Sequence, residues 1–389
     1  MQANKVISIS AKSETGNAYA VKVNADNSEA GINNKFKSTY NEFTANSASG
    51  EEAYAIKAEN GTKIDVVSTA GDNVIGNWFE SNKTAVELTE GSVLNADGNT
   101  VIKGAENGLV VVGNGGNGTS TLAEGEENYQ VNINGDLYAY AQENEQDSSA
   151  LDVSNGGSVN VTGNGIVNND VIVKDNSKLN IGKDIIAVAN EEGHSTIEGT
   201  ALTVTNKSIV DVGGNLYLKA TDTGLDVNNS TITVSGNEVN IVEGNIGINA
   251  VYSTLNLTGN TIIKSTANGM IVDGNVGGSE PNVTVNGNLI LSSEGHALNL
   301  KNGANMKVYG DQIFDNTILI EKNAKEEVTG TLISNGIIEG DAVNLKQNAE
   351  LTIGGNISVG ATGTGLNVED SKIIVNGQGF NTIISGESF

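Results

Sequence analysis

One phrase returns along most of this chain and is never copied verbatim. The stretch "TGLDVNNSTITVSGN" at 223–237 restates "SALDVSNGGSVNVTGN" at 149–164. The same frame opens "ALTVTNKSIVDVGGNLYLKA" (201–220), "GINAVYSTLNLTGNTIIK" (247–264) and "AVNLKQNAELTIGGNISV" (342–359). It runs as a small residue, an apolar-x-apolar triplet, a short polar turn, a second triplet, Gly-Asn or a relative, and a third triplet. Leu202, Leu225, Ile248 and Met270 recur 22 or 23 residues apart, and Val343 and Leu366 keep the same step.

Three runs of period-2 alternation per repeat, with no 3.6-residue periodicity, predict three short strands per turn and no helix. Each strand must bury one face, yet no hairpin signal pairs it with its successor. Stacking every turn on the previous one meets both demands, because each strand then pairs in parallel with its equivalent one turn away. The predicted fold is all-β, a parallel β-helix, right-handed by the preference of parallel crossovers. Roughly 13 coils at about 4.8 Å each make a rod of about 60 Å. Only inward positions and corners are constrained in such a fold, so the frame repeats while the outward residues drift. Gly supplies positive φ at a corner, and Asn tolerates the left-handed region while its amide can bond to the Asn one coil away. The early coils are longer: "AYAVKVNADN" (18–27) and "AYAIKAENGTKIDVV" (53–67) share an opening 35 residues apart. No break in composition divides the chain, so residues 1–389 read as one domain.

The frame swells at two phases. Between the first and second triplets come 113–128 and 274–282; between the third triplet and the next coil come 142–149 and 190–199. Insertions of equal phase project from one edge, which makes them candidate contact loops. Three are acidic, through Glu124, Glu126, Glu127, Glu143, Glu145, Asp147, Glu191 and Glu192. These carboxylates either solvate the loops or form a contact surface for a basic partner or a weak cation site.

Composition narrows the chemistry. The chain has no Cys and a net charge of −26, and its 21 basic residues are all Lys. Arg is the preferred reader of phosphate and guanine, and an acidic chain repels nucleic acid, so no nucleic-acid partner is expected. No apolar run near 18 residues and no charged-then-apolar leader follow Met1, so neither membrane insertion nor a signal peptide is expected of this segment. Parallel β-helices also host pectin-cleaving lyases and hydrolases. A lyase needs a strong base beside a bound cation, and a hydrolase needs converging carboxylates. Neither is visible, and the aromatics that would stack on sugars are only 4% of the chain. Trp78 reads as a corner packing residue, and His194 and His296 as turn residues in Glu-Gly-His contexts. "GNGGNG" (113–118) precedes neither helix nor Lys and so is no phosphate cradle. Calcium nonapeptides and a Gly-x-Ser-x-Gly elbow are missing, and no cofactor is expected.

Irregular 20–25-residue repeats with apolar-x-apolar triplets, Gly-Asn corners, no Cys, one Pro and an acidic balance resemble the passenger domains of bacterial type V autotransporters. The pertactin-like and self-associating adhesins are the nearest in style. The resemblance is one of grammar and carries no functional residue by motif; the translocator barrel, a separate protease domain and an Arg-Gly-Asp tripeptide are not found in these 389 residues. It implies export across the outer membrane and display at the cell surface. The implied role is a non-enzymatic adhesin, binding a host surface protein, matrix or glycan, or another copy of itself. A carbohydrate-active β-helix enzyme and a purely structural stalk are the alternatives.

Overall fold

The computed structural model describes residues 6–24, 33–48, 51–71, 74–115, 129–142, 148–188, 196–274 and 282–386. The chain divides into two compact units, Met1–Gly213 and Gly214–Phe389. Each is a parallel β-helix, and no helix occurs among the described residues.

In the first unit the three-strand coil repeats as Ser149–Ser154, Ser158–Val161 and Gly165–Val167, then Val171–Val173, Lys178–Ile181 and Ile185–Ala187. First strand stacks on first, second on second and third on third, all parallel, with Leu151 opposite Val171, Val159 opposite Leu179 and Gly165 opposite Ile185. The described residues hold seven second strands in each unit, one coil more in all than the roughly 13 expected. The registers follow the sequence frame. Leu225 lies opposite Ile248, Ile248 opposite Met270, and Val343 opposite Leu366. The early pair of openings also aligns, Tyr19 opposite Tyr54. In the second unit the third strand of one coil runs straight into the first strand of the next in Val239–Val251 and Asn260–Asp273.

Alternation places one aliphatic column behind each strand position. Behind the second strands of the first unit, Ile64, Leu94, Val131, Val159, Leu179 and Val210 stack in register, and all are buried. Burying each such side chain is worth about 1.5–3 kcal/mol. The longer early coils enclose more space, and rings fill it: Phe43 stacks on Phe79 at 5.2 Å, with Phe36 edge-on to Phe43 at 5.1 Å.

The corners divide by chemistry. Between first and second strands the left-handed region is occupied, by Gly61 and Gly303 and also by Asn60, Asn155, Asn206, Asn229 and Asn302. A small residue then turns inward before the second strand, and the Ser230 N–H donates to Ser253 Oγ of the next coil at 3.2 Å. At the Gly-Asn corner the expected positive φ is found at Gly98 (+101°) and Gly259 (+90°), whereas Gly330 at the same corner is glycine for a different reason. A Cβ on Gly330 would lie 2.5 Å from the Gly310 carbonyl oxygen, so glycine is needed for close approach of stacked coils. The Asn or Asp that follows the corner Gly accepts a backbone N–H from the next coil, while the expected amide-to-amide bond forms at the left-handed corners, where Asn348 Nδ2 donates to Asn323 Oδ1 at 2.8 Å. Asn288 N–H donates to Asn260 Oδ1 at 3.0 Å, Asp311 N–H to Asn288 Oδ1 at 2.8 Å, and Thr331 N–H to Asp311 Oδ1 at 2.7 Å. Only one oxygen is used, which is why Asn and Asp interchange there.

Candidate functional site

The sequence-nominated carboxylates Glu124, Glu126, Glu127, Glu143, Glu145, Asp147, Glu191 and Glu192 lie outside the described residues, as does His194. The strands flanking them keep the expected phase. Residues 113–128 fall between the first strand Asn107–Val112 and the second strand Val131–Asn134, and 142–149 fall between Leu137–Ala141 and Ser149–Ser154. His296 lies in the connection between Leu289–Ser293 and Leu298–Lys301, and its N–H donates to Asn268 Oδ1 at 3.2 Å. Trp78 is not at a corner: it points outward from the middle of Ile75–Ser81, and its Nε1 donates to Glu80 Oε2 at 2.9 Å.

The outward face of the second strands in the first unit carries two columns of short polar side chains. In the first, Asp65, Asn95, Asn132, Asn160, Asn180 and Asp211 lie in register on six successive coils. Each is the middle residue of an apolar-x-apolar triplet, so the strand's own alternation turns it out. Asn95 Nδ2 donates to Asp65 Oδ1 at 2.7 Å, Asn132 Nδ2 to Asn95 Oδ1 at 3.0 Å, and Asn180 Nδ2 to Asn160 Oδ1 at 2.6 Å. In the second column, two residues along, Asn134 Nδ2 donates to Asp97 Oδ1 at 2.8 Å and Thr162 Oγ1 to Asn134 Oδ1 at 3.3 Å. The two columns line a depression of about 210 Å³ whose margins include Val67, Asp97, Asn134 and Thr162. Its charge is negative: Asp65 and Asp97 line it and no cationic side chain does, although Lys63 Nζ lies 3.6 Å from Asp65.

A second polar cluster sits on the first strands. Tyr19 and Tyr54 stack at 5.7 Å, each under a lysine, Lys22 and Lys57. Burial and the Glu87 carboxylate push the Tyr54 phenol up to about 12. Burial alone would lower the Lys57 ammonium, but Glu87 at 3.0 Å outweighs it and holds Lys57 above its usual range. Tyr19 Oη donates to Glu52 at 2.6 Å, so the cluster's polar groups are spent on one another. Its role is to tie early coils together.

Among the described residues no group of three or more His, Cys, Asp or Glu is placed to hold a metal ion. The amide columns were signalled in the sequence by successive second triplets reading "IDV" (64–66), "LNA" (94–96), "VNI" (131–133), "VNV" (159–161), "LNI" (179–181) and "VDV" (210–212). The repeated middle residue carries that signal, and the insertions do not. No family model, no curated protein and no solved structure matches this chain.

Proposed function

We propose that the chain is a non-enzymatic bacterial surface adhesin, exported and displayed at the cell surface, that makes contact through the amide-bearing face of its first unit. The observation that supports this reading is the persistence of Asn and Asp on that face. Outward positions of a β-helix are free to drift, and in the second unit they do: the equivalent residues are Thr233, Asn256, Thr284, Lys307, Glu327, Thr352 and Ile374. In the first unit six successive coils hold only Asn or Asp. A face of repeated donors and acceptors gains strength by multivalency, since each added coil adds a contact at no further translational cost. The partner is a host surface protein, matrix or glycan, or a second copy of the chain. To test it, the chain is displayed on a non-aggregating cell and scored for sedimentation and for attachment to host cells and matrix. Attachment or clumping is expected; neither occurring in the wild type would remove the reading's support.

One observation favours a second reading, a carbohydrate-active enzyme. Asp65 and Asp97 line the same depression from adjacent coils, and paired carboxylates are what glycoside hydrolysis requires. New reducing ends released from a polysaccharide by the wild type and not by Asp97→Asn would establish it.

A further inference from the structure

The first amide column is interrupted between Asn132 and Asn160, and the two ends of that break are complementary. Asn132 spends its amide on Asn95 Oδ1 and on the Tyr129 carbonyl, both at 3.0 Å, so its free group is the acceptor Oδ1. Asn160 accepts at Oδ1 from Asn180 at 2.6 Å, so its free group is the donor Nδ2. The two residues are in register on adjacent strands, yet no hydrogen bond joins them. Both line the depression. Every other neighbour in the column from Asp65 to Asn132, and from Asn160 to Asn180, is bridged side chain to side chain.

We propose that this gap is a recognition site for a hydroxyl of a neutral glycan, an inference that rests on the adhesin reading and names its ligand class. A hydroxyl donates and accepts through one oxygen, so it can accept from Asn160 Nδ2 and donate to Asn132 Oδ1 at the same time. An ammonium offers donors only and a carboxylate acceptors only, so neither completes the rung. A sugar ring presents neighbouring hydroxyls. The second column meets the next one: Asp97 has only Oδ1 engaged, at 2.8 Å from Asn134 Nδ2, which leaves its other oxygen as an acceptor. The side chain of Val67 supplies an apolar margin for ring C–H groups. Asp65 and Asp97, with no cation in the lining, disfavour uronate or sulfate chains.

The test uses the full chain, titrated by saturation-transfer NMR and calorimetry with cellotetraose, maltotetraose and the N-acetylglucosamine tetramer as probes and heparin as the anionic contrast. At least one neutral probe is expected to bind and heparin is not. Asn160→Asp keeps the side chain's shape and exchanges the free donor for an acceptor, so it should weaken binding about tenfold, the value of one lost hydrogen bond of about 1.4 kcal/mol. Asn256→Asp, on the same strand position of the second unit, should leave it unchanged. Circular dichroism and melting of each variant show that it is folded; Asn132→Ser, which moves the acceptor away, serves as the second variant. The inference is overturned if no neutral probe binds, if heparin binds better, or if Asn160→Asp and Asn132→Ser bind like the wild type. Displayed cells that adhere while no neutral probe binds would overturn this inference and leave the adhesin reading standing. Cells that fail to adhere would strike at that reading itself.

Discussion

Glu326 occupies a slot built for an aliphatic. Met306 lies opposite it on one side and Leu351 on the other, and its carboxyl is buried with neither oxygen hydrogen-bonded. Gln312 repeats the exception in the third-strand column, between Leu289 and Leu332, and its amide is likewise buried and unpartnered. Burial pushes the Glu326 carboxyl up to about 7 from an ordinary 4.5, with Gln312 near enough to temper the shift but not to bond. Because the folded pKa exceeds the unfolded one, the folded state holds this proton more tightly. Its contribution therefore favours folding at acid pH, declines as pH rises from about 4.5 to about 7, and is level above that. The span is on the order of 3 kcal/mol. Asp226, raised by burial and tempered by Asn249 at 2.8 Å, acts in the same direction. Urea unfolding at pH 5 and pH 8 should show the wild type less stable at pH 8, and Glu326→Met should remove most of that difference while stabilising the protein at pH 8. An undiminished pH effect in Glu326→Met would show that the burden lies elsewhere.

At the scale of strands and corners, the two uses of glycine separate under substitution. Gly303 has φ +77°, and a methyl group added there would meet only open space, so Gly303→Ala costs only the left-handed conformation, about 1 kcal/mol. In Gly330→Ala the methyl group meets the Gly310 carbonyl oxygen at 2.5 Å and must push two coils apart, so the loss should reach about 3 kcal/mol. Thermal unfolding of the two variants side by side checks the order; equal losses would contradict the close-approach account. This difference marks how much of the molecule was legible in its residues. Strand number, parallel stacking and register were legible because alternation and the 22–23-residue step of Leu225, Ile248 and Met270 encode them directly. The longer openings at Ala18 and Ala53 were legible for the same reason. The reason for each Gly was not, because close approach and positive φ leave the same letter in the sequence. Glu326 was hidden although the frame exposes it, since "KEEV" (325–328) reads as a charged strand until its inward position is counted. The amide face was legible in principle, as Asn or Asp at the centre of six successive triplets. The missing rung between Asn132 and Asn160 was not, because it depends on which way two amides turn.

Over the whole molecule, charge sets the terms on which two copies can meet. With 47 acidic residues against 21 lysines the net charge is −26. Amide-to-amide contacts act only at hydrogen-bonding distance, whereas the repulsion between two such chains reaches roughly 30 Å at 10 mM salt and about 8 Å at 150 mM. If the adhesion proposed here is between copies, cells displaying the chain should stay dispersed at 10 mM NaCl and clump by 150 mM, as screening lets the polar faces close. Binding of a neutral tetrasaccharide carries no such repulsion and should change by less than about twofold over the same range. Sedimentation and calorimetry at both salt concentrations separate the two contacts on one protein. Clumping that is strongest at 10 mM would mean that attraction between lysines and carboxylates, and not the amide face, holds the copies together.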